Sequence, residues 1–137
     1  MATDLPDVVR RRLEEPNYWH LACLNADGTP QASPMWVDLR GDRILLNTAK
    51  AHRKYQNLKQ NPNVALSNND ATDNPFDHVQ VRGRVVEVIE GEQAEEDIDA
   101  LARKYIPGAE RYDWRAPGEE RVTFLIEPTH ARHYKPG

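Results

Sequence analysis

The sequence predicts a mainly β fold of six to seven short antiparallel strands with two to three helices, closed into a small barrel with Greek-key connections. Three observations carry this. Apolar and polar residues alternate over short runs, as the two-residue period of a strand demands. The runs are separated by turn dipeptides such as Asp27-Gly28 and Gly41-Asp42. Strands this short and numerous leave unpaired edges, which closure removes. No internal repeat or low-complexity tract competes, and 137 residues make one domain, 1–137, long enough to bury about two thirds of the unfolded surface.

In chain order, Asp4-Leu5-Pro6-Asp7 opens a helix. Asp4 is its expected cap, Pro6 is tolerated in the first turn, and the helix runs to about Glu15, where Pro16 stops it; Val8, Val9 and Leu13 form its buried stripe. Residues 18–24 make a strand, Asn25-Ala26-Asp27-Gly28 turns the chain, and residues 31–39 return as one hairpin partner. There Ala32, Pro34, Trp36 and Asp38 share one face, and Ser33, Met35, Val37 and Leu39 the other. Pro34 has no N–H for a ladder, so it marks an edge, a bulge or a ligand-facing break. After Gly41-Asp42, residues 43–48 complete a three-stranded meander.

A helix over about residues 52–59 turns Tyr55 and Leu58 inward and ends at Asn61-Pro62. Residues 63–67 form a fourth strand, residues 68–75 a polar loop, and residues 77–88 the longest strand. Val79, Val81, Gly83, Val85 and Glu87 alternate there with His78, Gln80, Arg82 and Arg84, and Gly83 in mid-strand signals a bend or the close approach of another backbone. Residues 92–105 form a helix that buries Ala94, Ile98, Leu101 and Ala102 and holds its acids in solvent. Residues 106–120 are a long loop containing Tyr112, Trp114 and Arg115, and strands over 121–126 and 130–134 close the sheet.

Composition narrows the function. Eighteen Lys and Arg against twenty-two Asp and Glu leave a formal charge of −4, a surface that repels nucleic acid. A lone Cys23 in an apolar run excludes an internal disulfide framework and fits a reduced compartment. No apolar stretch approaches a membrane span, and Met1-Ala2-Thr3-Asp4 lacks the features of a signal peptide, so the expected location is cytoplasmic. The five His are scattered and no Cys pair accompanies them, so no metal site is expected.

The most telling stretch is Leu45-Leu46-Asn47-Thr48-Ala49-Lys50-Ala51-His52-Arg53-Lys54, where a strand runs through a polar turn into a helix start carrying Lys50, Arg53 and Lys54. The first N–H groups of a helix have no intrahelical partner, so an anion placed there gains their hydrogen bonds, the helix dipole and the side-chain charges together. The anion expected is that of a cofactor.

Four segments in order extend the pattern: residues 21–30 (Leu21-Ala22-Cys23-Leu24-Asn25-Ala26-Asp27-Gly28-Thr29-Pro30); Ser33-Pro34-Met35-Trp36-Val37-Asp38; Asn47 to Lys54 with Asn57-Leu58; and Asn61-Pro62-Asn63-Val64-Ala65-Leu66 with Val79-Gln80-Val81-Arg82-Gly83. In these the chain resembles the pyridoxamine phosphate oxidase-like split β-barrel family, in particular its small deazaflavin-dependent oxidoreductase branch. The resemblance implies a homodimer with cofactor sites in grooves between subunits. It places Thr48, Lys50, Arg53 and Lys54 at the phosphate, Ser33, Pro34, Met35 and Trp36 along the tricyclic ring, Asn47 beside them, and His78 near a position where flavin-binding relatives use Gln. Trp114 and Arg115 would reach the partner's site.

The cofactor implied is coenzyme F420, whose phosphate and acidic tail suit the cluster of cations, with FMN the alternative. The activity implied is F420H2-dependent hydride transfer to a small conjugated or heteroaromatic acceptor, with no catalytic side chain required. The alternatives are an FMN-binding oxidase-like protein and a non-enzymatic carrier of a flavin, deazaflavin or tetrapyrrole. Residues 123–134 do not resemble the Arg- and His-containing substrate motif of true pyridoxamine phosphate oxidases. The acceptor pocket is expected to be shaped by loops 68–75 and 106–120.

Overall fold

The computed structural model describes residues 2–69 and 72–136; Asp70 and Ala71, in the predicted loop 68–75, lie outside the described residues. Ten elements follow one another: α1 (Asp7–Glu14), β1 (Trp19–Leu24), β2 (Pro30–Met35), β3 (Asp38–Arg40), β4 (Arg43–Ala49), α2 (Arg53–Gln60), β5 (Asn63–Asn69), β6 (His78–Glu90), α3 (Glu92–Tyr105) and β7 (Arg121–Tyr134). The strands form one antiparallel sheet in the order β2-β1-β5-β6-β7-β4-β3. Strands β5, β6 and β7 are successive neighbours and β4 lies beside β7, which is a Greek-key connection.

The two edge strands, β2 and β3, are consecutive in the chain and separated only by Trp36 and Val37. Three Cα steps span at most about 11 Å, whereas the edges of a flat seven-stranded sheet stand roughly 29 Å apart. The sheet therefore curls until its edges meet without pairing, a split barrel. This corrects two expectations. Residues 31–39 are not one strand but two at opposite edges, and the three-stranded meander is broken between β2 and β3. Pro34 sits in an edge strand, opposite His20 of β1, the kind of position in a sheet that tolerates a residue without an N–H.

The crossing is held from outside the sheet. Val37 is fully buried; its N–H donates to the Tyr105 hydroxyl at 3.1 Å and its carbonyl accepts from Lys104 Nζ at 2.6 Å. Lys104 also reaches the carbonyl of Leu13 at 2.6 Å, and the Tyr105 hydroxyl donates to the carbonyl of Asn17 at 2.6 Å. Trp36 stacks on the Tyr105 ring, 5.4 Å between centroids and 8° from parallel. The last turn of α3 thus ties together the end of α1, the start of β1 and the crossing.

Inside the barrel, Val9 and Leu13 of α1 pack with Trp19, Leu21, Leu46, Leu66, Val81 and Phe124, each fully buried side chain contributing about 1.5–3 kcal/mol. Tyr55 and Leu58 of α2 join this core. A second cluster outside the sheet sets Ile98, Leu101 and Tyr105 of α3 against Leu45 and Leu125. Further differences from expectation have local causes. Asp4 makes no cap, because α1 begins at Asp7 with Pro6 preceding it. Asp97 leaves the acidic face of α3 to be buried, 4% exposed, by bonds to Arg40, Gln93 and Thr123. The two C-terminal strands are one strand, β7: beyond Ile126 it pairs with β6 alone, and at Pro128 the carbonyl turns away from that ladder to accept the Thr3 N–H at 2.8 Å, so the missing N–H falls on the unpaired side. No helix among the described residues is long and apolar enough to cross a membrane.

Opposite Pro128 the ladder shifts register between Arg82 and Gly83. A Cβ at Gly83 would lie 2.6 Å from the carbonyl oxygen of Glu127 and 2.7 Å from Cγ2 of Ile126, so Gly83→Ala is expected to cost about 2–3 kcal/mol, read as a lower urea midpoint; an unchanged midpoint would refute the close approach. Tyr105→Phe is expected to cost about 1–2 kcal/mol at neutral pH by orphaning the Val37 N–H. Burial pushes the Tyr105 hydroxyl up to about 12. Its contribution is therefore complete below pH about 10, the unfolded value, and is lost as pH rises through about 12. The deficit of the Phe variant should narrow across that interval in denaturant titrations, and a constant deficit would contradict the assignment.

Candidate functional site

Where β2 ends, the crossing begins and β4 runs into α2, the barrel leaves a cleft of about 290 Å3. Its walls come from Pro34 and Met35 of β2, Trp36, Asn47 and Thr48 of β4, His52 and Lys54 at the opening of α2, Ile98 and Leu101 of α3, Tyr112 and Trp114 of the loop 106–120, Arg121 of β7, and Tyr18. One end is cationic and polar, and the other aromatic and aliphatic.

Lys54 defines the cationic end. Its ammonium is half-buried, and its polar contact is the Met35 thioether, with Nζ to Sδ 2.9 Å. No carboxylate among the described residues lies within ion-pair distance of it. Burial holds this ammonium below the usual lysine range, and the positive charge of Arg121 pushes in the same direction. Arg121, 5% exposed, is fixed on several sides: Nε donates to Asn47 Oδ1 at 2.9 Å, a terminal nitrogen to Glu119 Oε2 at 3.1 Å, and its guanidinium lies 5.0 Å from the centre of the Tyr112 ring. The Thr48 hydroxyl and His52 Nδ1 are 3.2 Å apart on the same wall.

Behind this wall runs a buried polar chain. The Asn47 amide nitrogen donates to the carbonyl of Ala94 at 2.9 Å and to the Thr123 hydroxyl at 3.0 Å, and that hydroxyl donates to Asp97 Oδ2 at 2.7 Å. Both amide protons of Asn47 are thus spent, and its carbonyl receives Arg121. The residue positions Arg121 and has no donor left for a ligand.

At the aromatic end, Trp36 lies 6.1 Å from Tyr112, edge to face, and 6.1 Å from Trp114. The loop carrying these two rings is clamped to α3 by Arg115, which meets Glu95 at 3.0 Å and Asp99 at 3.1 Å. Trp114 remains 67% exposed at the rim.

Of the ten cofactor contacts expected from the sequence, Pro34, Met35, Trp36, Asn47, Thr48 and Lys54 converge on this cleft. Four stand apart from it within the chain. Ser33 alternates to the inner side, with its hydroxyl enclosed and without a partner. Lys50 pairs with Glu90 at 2.5 Å and Glu120 at 2.8 Å, and the bonds to Glu120 and Glu90 hold its ammonium above the usual lysine range. Arg53 is exposed on the first turn of α2. His78 stacks on Tyr134 at 4.7 Å and holds the carbonyl of Phe76 at 2.8 Å. Sequence reasoning missed Arg121, Tyr18, Ile98 and Leu101 as wall residues. Arg121 follows two glutamates at the head of an apolar strand, a context that reads as solvated charge, and no local pattern marks the other three.

A profile of the family Pyridoxamine 5'-phosphate oxidase matches residues 5–135. A solved structure named F420 Reductase is 32% identical, over 93% of this chain and 98% of its own, with a TM-score of 0.79. A conserved hypothetical protein from Mycobacterium tuberculosis, 20% identical over 97% of this chain and 86% of its own, superposes with a TM-score of 0.71. A heme binding protein from Mycobacterium smegmatis, 19% identical over 91% of this chain and 50% of its own, does so at 0.61; these last two likenesses speak for the fold alone. No curated protein matches the sequence.

A half-buried cation without a counter-charge weakens the ligand-free protein. Lys54→Met is expected to raise its Tm at pH 7 by about 1–3 °C. Because the folded-state ammonium titrates lower than the unfolded one, the penalty is complete at neutral pH and fades as pH climbs toward the unfolded lysine value of about 10.4, so the gain should shrink on the approach to that pH and be gone above it. A drop in Tm at pH 7 would show that Lys54 stabilises the empty cleft.

Proposed function

Because the chain belongs to the pyridoxamine 5'-phosphate oxidase family, we propose that it is an F420H2-dependent reductase that holds coenzyme F420 in this cleft and reduces a small conjugated or heteroaromatic acceptor. The observation that carries the reading is Lys54, a half-buried ammonium met by a thioether and no carboxylate, beside the fixed charge of Arg121. Two cations on one wall fit a phosphate or carboxylate ligand, and the opening of α2 adds unpaired N–H groups. The opposite wall of Trp36, Tyr112, Trp114, Ile98 and Leu101 fits a flat ring. The 32% identity to a structure named F420 Reductase favours the deazaflavin over FMN.

When bound, the reduced cofactor supplies the hydride. The chain's own residues do the rest. Lys54 and Arg121 anchor the anionic end, Asn47 keeps Arg121 aimed, and Trp36, stacked on Tyr105, keeps water from one side of the ring. With the ring immobilised, rate comes from orientation and exclusion of water, and no side-chain nucleophile is needed. The reading entails a homodimer, with Lys50, Arg53, Ser33 and His78 as further cofactor contacts; exposed Phe76, Val86 and Val88 offer apolar surface for the pairing.

Fluorescence titration with F420, FMN and haem in parallel tests this. Micromolar binding of F420 is expected, about tenfold weaker in Lys54→Ala and in Arg121→Gln, a loss of about 1.4 kcal/mol. F420H2 should then be oxidised by an enone or quinone, followed as recovery of F420 absorbance. Binding of FMN or haem without F420 would overturn the cofactor assignment, and F420 binding without turnover across a broad acceptor panel would make the protein a carrier.

A further inference from the structure

Asp97 is the one charged side chain of α3 that is buried, and its two oxygens have different duties. Oδ1 accepts from Arg40 Nη2 at 2.6 Å and from Gln93 Nε2 at 2.8 Å. Oδ2 accepts from the Thr123 hydroxyl at 2.7 Å. Stapling α3 to β3 through Arg40 accounts for the first oxygen. It does not account for the second, or for the hydroxyl that meets it. Thr123 is fully buried in the run Val122-Thr123-Phe124-Leu125-Ile126, where a valine would fill much the same space with no polar group to satisfy.

The directions of the bonds beyond Thr123 are forced. Asn47 faces Thr123 across the ladder of β4 and β7. Arg121 Nε can only donate and the Ala94 carbonyl can only accept, so Asn47 turns its amide oxygen to the one and its nitrogen to the other, at 2.9 Å each. Its second amide proton meets Thr123 Oγ1 at 3.0 Å, which sends the hydroxyl's own proton on to Asp97. Three bonds thus run in series from Arg121 to Asp97, and every donor points the same way, from the cation toward the carboxylate. Each link in such a chain polarises the next. The carboxylate makes the Thr123 oxygen a better acceptor for Asn47, and the Asn47 oxygen in turn a better acceptor for Arg121.

Arg121 is left with one free arm. Nε is held by Asn47, Nη1 by Glu119 at 3.1 Å, and its backbone N–H by Glu95 Oε2 at 2.8 Å. Nη2 has no partner among the described residues and is not an enclosed atom, and Arg121 lines the cleft. Asp97 and Thr123 line no part of it.

We propose that Asp97 is a positioning residue for Arg121: acting through Thr123 and Asn47 from behind the wall, it fixes the guanidinium so that Nη2 meets the anionic group of a ligand in the cleft. The consequence for binding rests on the cofactor reading given above, whereas the hold on Arg121 exists in the ligand-free protein and is tested there.

Asp97→Asn keeps the shape and reverses the last link. Arg40 and Gln93 keep the amide oxygen at the Oδ1 position, so the new amide nitrogen faces Thr123 Oγ1 and the hydroxyl proton loses its acceptor. Thr123→Val cuts the chain without touching Asp97 or Arg40, which keeps the test open should Asp97→Asn fail to fold. By NMR of the ligand-free chain, the Arg121 Nε–H is expected to exchange with solvent about tenfold faster in either variant. The Val37 N–H, held by Tyr105 at the end of the same helix, should exchange at its wild-type rate. Thr123→Ser should recover protection relative to Thr123→Val, and adding Asp97→Asn to Thr123→Val should accelerate exchange no further. Unchanged Arg121 exchange in both single variants, Val37 exchange rising in step with it, or additive effects in the double variant would overturn the proposal, the second by showing a merely structural role.

F420 titration supplies the binding arm. Asp97→Asn is expected to weaken F420 about fivefold in the wild-type background and to add nothing to Arg121→Gln; an equal loss in both backgrounds would show that Asp97 does not act through Arg121. Failure of F420 to bind the wild-type chain would overturn the cofactor reading, while the exchange rates would still decide the role of Asp97.

Discussion

The fold depends on how one dipeptide is satisfied. Trp36 and Val37 carry the chain from one edge of the sheet to the other, and Val37 can join neither ladder while being fully buried. A buried peptide group left unpaired costs about 1–3 kcal/mol, and here both its N–H and its carbonyl need partners. Tyr105 and Lys104 supply them from the last turn of α3. That requirement fixes where α3 ends, and so where Leu101 and Ile98, one and two turns earlier, meet the sheet. Burial lowers the Lys104 ammonium below its ordinary range, with Asp38 acting against the shift, a sign of how far this side chain is drawn out of water to do so.

The same crossing makes the cleft. A barrel whose edges paired would have no opening beside Met35 and Trp36. The split instead exposes a thioether, an indole and the end of β4 to one another, and α2 starts beside them. The cations at this opening are held in different ways. Arg121 is braced by Asn47, Glu119 and Tyr112, whereas the Lys54 ammonium meets the Met35 sulfur and no carboxylate among the described residues. Bracing one charge and leaving the other unmatched is the arrangement expected where a ligand, rather than the protein, completes the electrostatics.

Much of this was readable from local signals. The mainly β class, the three helices, strands β1, β4, β5 and β6, and irregularities at Pro34 and Gly83 all follow from alternation, turn residues and the special chemistry of proline and glycine. The passage from strand through turn to helix over Asn47 to Lys54 was legible because all three lie within ten residues. What escaped depends on contacts distant in sequence. Nothing near residue 36 says that a strand changes edges there, since the residues that permit it, Lys104 and Tyr105, come nearly seventy positions later. Lys50 resembles Lys54 in type and spacing, and only the arrival of Glu90 and Glu120 separates their roles. Asp97 reads as one more solvated acid until Thr123 and Arg40 enclose it.

The wall of the cleft is divided between residues with and without a second duty. Trp36, Asn47 and Arg121 also brace the crossing or the buried polar chain, so substitutions there compromise folding together with recognition. Tyr112 and Trp114 sit on a segment clamped at Arg115, outside the strands, with one ring largely in solvent. Evolutionary drift in ligand preference therefore has a permissive lane and a forbidden one. Lineages descending from this barrel should diversify at the rim formed by residues 106–120 while the opposite wall stays frozen, and laboratory libraries aimed at changing what the cleft takes belong on that rim.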